Sequence, residues 1–230
     1  MEAVSAVKMR KSQERSFNAR TYAAAALSIM QRLSATPEGK HHPLIFRPRG
    51  LPRLLGFDKT CFVVVTSDKG LAGNLNSGVI RKTEQEIIRR GLTTQNTLFI
   101  AIGSRGGDYF AARGYDVRMR RTNVSDAVSE WDMRLVTDQI LAWQAEGEIQ
   151  ECVMVYTNFI STFEQEALAR EIIPIRPAVY AEIVKGIWPV RGKYAPRTGV
   201  GEDIMPALYT IEPDRDEVLT LILPKLLTIA

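Results

Sequence analysis

Between residues 59 and 174 the chain alternates short β-branched apolar runs with longer stretches in which apolar residues recur every three or four positions. The runs predict strands near 60–66, 97–102, 116–120 and 151–157, and the intervening periodicity predicts helices near 77–90, 106–113 and 129–146. Alternation at these lengths implies an α/β fold, a mostly parallel sheet with helices on both faces. A further strand, 165–174, follows its predecessor after only a few residues around 161–163. That gap is too short for a parallel crossover, so this strand is expected to pair antiparallel at the sheet edge.

Outside this region the pattern changes. Residues 1–35 contain no Gly or Pro and are rich in Ala, Arg, Lys, Gln and Glu, which predicts one long helix. Its second half carries a heptad-like stripe at Ala19, Ala23, Ala26, Met30 and Leu33, the seam of a helix that packs on another helix. Its first half has few apolar positions beyond Val4, Val7 and Met9, and so needs a partner to be stable. Residues 36–58 are Pro/Gly-rich and read as a linker, and 59–211 read as the α/β domain. Within that domain 175–208 is a loop-rich insertion, with a short hairpin expected around 179–190. Residues 212–230 begin a final helix, with Pro213 in its first turn, Asp216 and Glu217 complementing its dipole, and Pro224 kinking it.

Composition narrows the function classes modestly. At 230 residues and 45% hydrophobic, the chain can build one core of ordinary size. A net charge of +4 suits weak attraction to an acidic surface and does not indicate nucleic acid. No apolar run reaches the ~18 residues of a membrane-spanning helix, and no export signal is evident at the start, so a cytosolic or peripheral protein is expected. The two cysteines, Cys61 and Cys152, fall in predicted buried strands and read as reduced core thiols.

The candidate chemistry is concentrated in one turn. Residues 61–82, CFVVVTSDKGLAGNLNSGVIRK, run from a strand through a Gly/Asn-rich turn into a helix. The turn lacks both GxGxxG and GxxxxGK[ST], so no backbone path around a pyrophosphate is evident. Asp68 follows the first strand, where open α/β sheets place ligands, and is the best single candidate for a catalytic carboxylate. The stronger reading is structural: Ser67 and Asp68 bond the backbone of their own turn, Gly70 and Gly73 supply positive φ, and Asn76 caps a helix that begins at Ser77. His41 and His42, the only histidines, lie in the linker without the ligand count a metal needs. Ser161 and Thr162 lack the nucleophile elbow of a serine hydrolase. Arg113, Arg118, Arg120 and Arg121 could bind phosphates, but their alternation fits a solvated strand end better. Lys8, Arg10, Lys11, Arg15 and Arg20 form a denser basic set, which by itself reads as a solvated helix face. No catalytic residue, metal or cofactor is expected.

Thr66, Ser67, Asp68, Lys69, Gly70, Leu71, Gly73, Asn76 and Ser77 together resemble the signature loop of the gamma subunit of the rotary, F-type ATP synthase. The resemblance extends to Lys8, Met9, Arg10, Gln13, Arg20 and Tyr22 near the start, and to residues 102–114, 155–165 and 209–227, all in the family's order. It implies a Rossmann-like domain on a stalk, flanked by N- and C-terminal helices of a truncated antiparallel coiled coil, since the family's shaft helices extend beyond both ends. It further implies a noncatalytic central-stalk subunit that couples proton-driven rotation to conformational change at catalytic beta subunits. The implied partners are the alpha, beta and epsilon subunits and the c-ring, with peripheral attachment at the cytoplasmic face of a bacterial-type plasma membrane. In that frame Lys8, Met9, Arg10, Lys11 and Arg15 contact the catalytic subunits, and Tyr209, Thr210 and Glu212 lie near the foot that meets the ring. Ser67, Asp68, Gly70, Gly73 and Asn76 are then structural. Two other functions stay open: a truncated gamma-like assembly protein without torque transmission, and a nucleotide- or small-molecule-binding α/β enzyme.

Overall fold

A computed structural model describes residues 7, 9–11, 29, 44–45, 59–124, 130–160, 164–176, 178–179 and 182. The chain divides into two compact units, Arg47–Pro174 and a second built from Met1–Phe46 with Ile175–Ala230.

The first unit holds, in order, β1 (Lys59–Val65), α1 (Asn74–Arg89), β2 (Thr97–Ile102), α2 (Ser104–Ala111), β3 (Asp116–Arg121), α3 (Glu130–Ala145), β4 (Ile149–Phe159) and β5 (Gln165–Ile173). The strands form one sheet in the order β3-β2-β1-β4-β5. The first four are parallel and β5 pairs antiparallel with β4, as the short connection requires. The chain moves outward from β1 through β2 to β3, then returns to the other side of β1 with β4. This reversal makes the β1/β4 boundary a topological switch point, with the ligand crevice of such folds at the carboxyl ends of the strands.

Central strands of a sheet covered on both faces must be apolar on both faces, and TCFVVV of β1 and TLFIA of β2 are buried almost throughout. On one face Phe62, Val64, Phe99, Val153 and Val155 pack with Val79 and Ile87 of α1 and Phe110 of α2. Phe99 is the centre of an aromatic stack, 4.3 Å from the Phe110 ring and 5.6 Å from that of Phe62. Close approach of α2 to the sheet depends on Gly107, where an added Cβ would meet the Ala101 Cβ at 3.0 Å. The alternate residues Cys61, Val63, Leu98, Ile100 and Cys152 are buried on the opposite face, and Val136, Ile140 and Trp143 of α3 are buried as well.

Several boundaries differ from the sequence reading. Helix α1 starts at Asn74, three residues before the expected Ser77, and α2 spans Ser104–Ala111 where 106–113 was expected. Strand β4 runs past the expected 151–157 at both ends, because its antiparallel ladder with β5 continues to Phe159 opposite Gln165. Where a hairpin was expected around 179–190, Val179 and Glu182 are helical, as is Ala178. The run AVYAEIV contains no glycine and follows Pro177, a sequence that favours a helix start.

In the second unit Leu44 is buried inside the expected linker, and its carbonyl accepts the Ile175 N–H at 2.6 Å. Val7, Met9, Arg10, Lys11 and Ile29 are helical and exposed. No helix among the described residues is long and apolar enough to cross a membrane.

Candidate functional site at the carboxyl edge of the sheet

The loop after β1 is tied down by side chains from outside it. The sequence predicts that Asp68 bonds the backbone of its own turn, but its carboxylate reaches two other loops. Its Oδ1 accepts the Ser104 N–H at 2.9 Å and its Oδ2 accepts the Asn123 N–H at 2.8 Å. In return the Ser104 hydroxyl donates to the Asp68 carbonyl at 2.9 Å. One carboxylate therefore joins the loops that follow β1, β2 and β3.

These contacts fill the place where an α/β fold would hold a phosphate. The first N–H groups of a helix have no intrahelical acceptor and carry partial positive charge, which makes them an anion site. In α2, Gly103 at the cap offers no side-chain acceptor. The Ser104 N–H goes to Asp68, the Arg105 N–H to the Ser67 carbonyl at 3.2 Å, and the Gly106 N–H to the Thr66 hydroxyl at 2.9 Å. All three donors are taken by the β1 loop itself. Gly103 makes the approach possible: with φ 90°, a Cβ there would sit 2.0 Å from the Thr66 carbonyl oxygen.

Asn76 plays a different part from the expected cap. It is the third residue of α1, and its side chain reaches back into the loop. Its Oδ1 accepts the Ser67 N–H at 2.9 Å, while its Nδ2 donates to the Ser67 hydroxyl at 2.9 Å and to the Lys69 carbonyl at 3.4 Å. Ser67 does bond its own turn, donating its hydroxyl to the Lys69 carbonyl at 2.6 Å. The helix could begin at Asn74 because Gly73, with φ 57°, supplies the reversal. Asn74 in turn accepts from Ser77 at 3.0 Å and Arg81 at 2.6 Å.

Positive φ was expected at Gly70 and Gly73, but the loop's left-handed residues are Leu71, with φ 59°, and Gly73. Gly70 instead lies beside α2, where an added Cβ would be 2.9 Å from the Arg105 guanidinium. Leu71 is fully exposed, at 109% of its reference area. Leu71 is thus an apolar side chain held in a costly backbone region and exposed to solvent, a combination the sequence reading did not anticipate. In the sequence it stands between the glycines of a polar turn, as one of the residues that carry the resemblance described above.

The arginines singled out as a phosphate cluster do not converge. Arg118 meets Glu148 at 2.5 Å and Asp116 at 2.7 Å, Arg120 meets Asp108 at 2.6 Å, and Arg121 pairs with Asp132. Arg113 lies 3.4 Å over the Tyr109 ring, and the Tyr109 hydroxyl donates to Glu84 at 2.7 Å. That hydrogen bond is the main reason the Tyr109 phenol is held above its ordinary value. Hydrogen bonding to Glu148 likewise raises Arg118. At the opposite edge Arg90 faces Glu151 at 2.8 Å, Glu86 at 3.3 Å and Glu171 at 3.5 Å. Burial pushes the Glu86 carboxyl up, but hydrogen bonds and charge from Arg89 and Arg90 outweigh it and hold the group below its ordinary value.

Of the predicted partner-contact residues, Met9, Arg10 and Lys11 are helical and exposed. Lys8, Arg15, Tyr209, Thr210 and Glu212 lie outside the described residues, as do His41 and His42. Among the described residues no group of three or more His, Cys, Asp or Glu side chains is placed to hold a metal ion.

The sequence model of the ATP synthase family matches residues 1–230. The chain is 33% identical over 178 residues to an ATP synthase gamma chain of Symbiobacterium thermophilum, covering 77% of this chain and 59% of that one. It is 29% identical over 231 residues to the ATP synthase gamma chain of Leuconostoc citreum, covering 98% of this chain and 70% of the relative. It thus spans about three fifths of the length of the Symbiobacterium protein, 59% by alignment. Among solved structures, a chain of the Tetrahymena thermophila mitochondrial ATP synthase central stalk and c-ring superposes with a TM-score of 0.64 at 17% identity. That match covers 100% of this chain and 86% of the other, and shows a shared fold.

Proposed function

The chain belongs to the ATP synthase family, and on that premise we propose that it is the noncatalytic gamma subunit of the central stalk. In this role it converts rotation of a proton-driven rotor into cyclic conformational change at catalytic sites carried by the beta subunits. Such a subunit performs no bond chemistry. It works by contacting the catalytic subunits differently at each angle, so that each orientation favours a different conformation of each beta subunit.

One observation of the geometry carries the noncatalytic reading. The anion position at the start of α2 is filled by Asp68, the Ser67 carbonyl and the Thr66 hydroxyl. The same loop presents Leu71 fully to solvent. A site closed by its own side chains and an apolar residue held outward are features of a surface that meets protein. The gamma-chain relatives support the same reading.

The partners of this reading are the alpha, beta and epsilon subunits and the c-ring. The helical, exposed Met9, Arg10 and Lys11, together with Lys8 and Arg15, meet the catalytic subunits, and Tyr209, Thr210 and Glu212 meet the ring. Attachment to the membrane is peripheral, through the ring. The matched relatives named above are bacterial chains, which fits a complex at the cytoplasmic face.

The test is co-expression of the whole gene product with the alpha, beta and epsilon subunits of the same genome. The expected result is a purified complex whose ATP hydrolysis depends on this chain, and no thermal shift of the isolated chain with ATP or ADP. Binding to epsilon without activation of alpha and beta would favour an assembly protein instead. Saturable nucleotide binding by the isolated chain would overturn the noncatalytic reading.

A further inference from the structure

The chain has two cysteines in 230 residues, and the sheet makes them direct partners. Cys61 on β1 stands opposite Cys152 on β4 in the parallel register. Both are free and completely buried. Paired residues of neighbouring strands project from the same face, and here that face is the one opposite Phe62 and Val153. Strand spacing of ~4.8 Å lies inside the ~4.4–6.8 Å range of Cα separations that a disulfide can bridge. With no third thiol anywhere in the sequence, each cysteine has one possible intramolecular partner, and it is already adjacent.

We propose that Cys61 and Cys152 are a cross-strand dithiol that a small peroxide closes to a disulfide, joining β1 to β4 at the topological switch point of the sheet. In the first step one thiolate attacks a peroxide oxygen. The O–O bond breaks, the sulfur becomes a sulfenic acid, and the departing hydroxide takes up a proton as water. In the second step the other sulfur attacks the sulfenic sulfur, the S–O bond breaks, and the oxygen leaves as a second water carrying the last thiol proton. The two sulfurs together lose two electrons, and hydrogen peroxide is reduced to two waters.

The same burial dictates which oxidant works and how fast. A bulky disulfide such as oxidised glutathione cannot reach sulfurs with no exposed surface, whereas peroxide is small and neutral and can enter through breathing of the unit. Burial pushes the Cys61 thiol well up, and its hydrogen bond with Cys152 adds to the effect. The thiolate is the nucleophile, so closure is slow at neutral pH and accelerates as pH rises. A sulfenic acid formed here has the neighbouring thiol in reach and little water to compete, which favours the disulfide over higher oxides.

The experiment is to treat the full chain with hydrogen peroxide in native buffer and in denaturant, remove the oxidant with catalase, alkylate in denaturant and map the peptides by mass. In native buffer both thiols should disappear together and a linked 61/152 peptide should appear, lighter by two hydrogens. No disulfide-linked dimer should form, the unfolding midpoint should move to higher denaturant, and dithiothreitol added in denaturant should restore both thiols. Oxidised glutathione should leave the native thiols intact. Cys152→Ala should abolish the linked peptide, and the native-versus-denatured comparison of the unaltered chain stands even if that variant does not fold. Two results would overturn the proposal: both thiols surviving in native buffer while the denatured chain oxidises, or separate oxidation of each sulfur with no linked peptide.

Discussion

Asp68 accepts the backbone N–H of Ser104 at 2.9 Å across 36 residues of sequence, so a carboxylate after the first strand caps the helix that follows the second. Its other oxygen holds Asn123 at 2.8 Å. Charge-assisted bonds to backbone donors are stronger than neutral ones, and a helix cap contributes about 0.5–2 kcal/mol. Asp68→Ala should therefore destabilise the chain by roughly 2–3 kcal/mol. Asp68→Asn, which keeps one acceptor oxygen, should lose about half as much. Urea unfolding of the pair measures both, and equal losses would contradict the two-oxygen arrangement.

Gly103 and Gly70 both border the junction of the β1 loop with α2 and should respond very differently to an added methyl group. A Cβ at Gly103 would meet the Thr66 carbonyl oxygen at 2.0 Å with φ 90°. Backbone cannot yield that far, so Gly103→Ala should cost about 3 kcal/mol or more and reduce soluble yield. At Gly70 the nearest atom is the end of the flexible Arg105 side chain, at 2.9 Å. Gly70→Ala should stay within about 1 kcal/mol of the parent in the same unfolding assay.

Leu71 separates stability from assembly. Because it is fully exposed with φ 59°, Leu71→Gly removes about 1–2 kcal/mol of left-handed strain while adding about 0.5–1 kcal/mol of chain entropy. Thermal unfolding of the isolated chain should be unchanged or slightly raised. If the residue docks on a neighbouring subunit, the same variant should weaken co-purification with alpha and beta, which a pull-down reads directly.

Arg90 faces Glu86, Glu151 and Glu171 together, with 15% of its side chain exposed. Arg90→Ala should cost about 3 kcal/mol near pH 7, by leaving carboxylates partly buried without that countercharge. Denaturant midpoints of variant and parent, measured side by side at pH 7, give the answer.

Glu86 sets the sign of one acid transition. Its folded value is depressed below the reference 4.5, so its contribution to stability is fully present above that reference value. It is lost as pH falls through the lower folded value. Glu86→Gln should flatten the decline in stability over this window, in a comparison of acid-unfolding curves for variant and parent.

The order of elements, the strand positions to within a residue or two and the antiparallel edge were legible in the sequence, because each follows from a local property. A β-branched run such as CFVVV cannot be a comfortable helix, and a connection of a few residues cannot cross a sheet. The ordered motifs that resemble the gamma subunit are local too. What only the tertiary structure decided involves residues far apart in the chain. Asp68 looked like the partner of its own turn, and found Ser104 and Asn123 once the loops after β1, β2 and β3 were brought to one edge. Asn76 looked like a cap, but Gly73 lets α1 start earlier and frees that side chain to hold Ser67. Cys61 and Cys152 became neighbours only when β1 and β4 paired in register. Periodicity and turn chemistry act over a few residues and are written in the order of the chain, whereas the partners of a polar side chain are set by sheet register and by which edge each loop reaches.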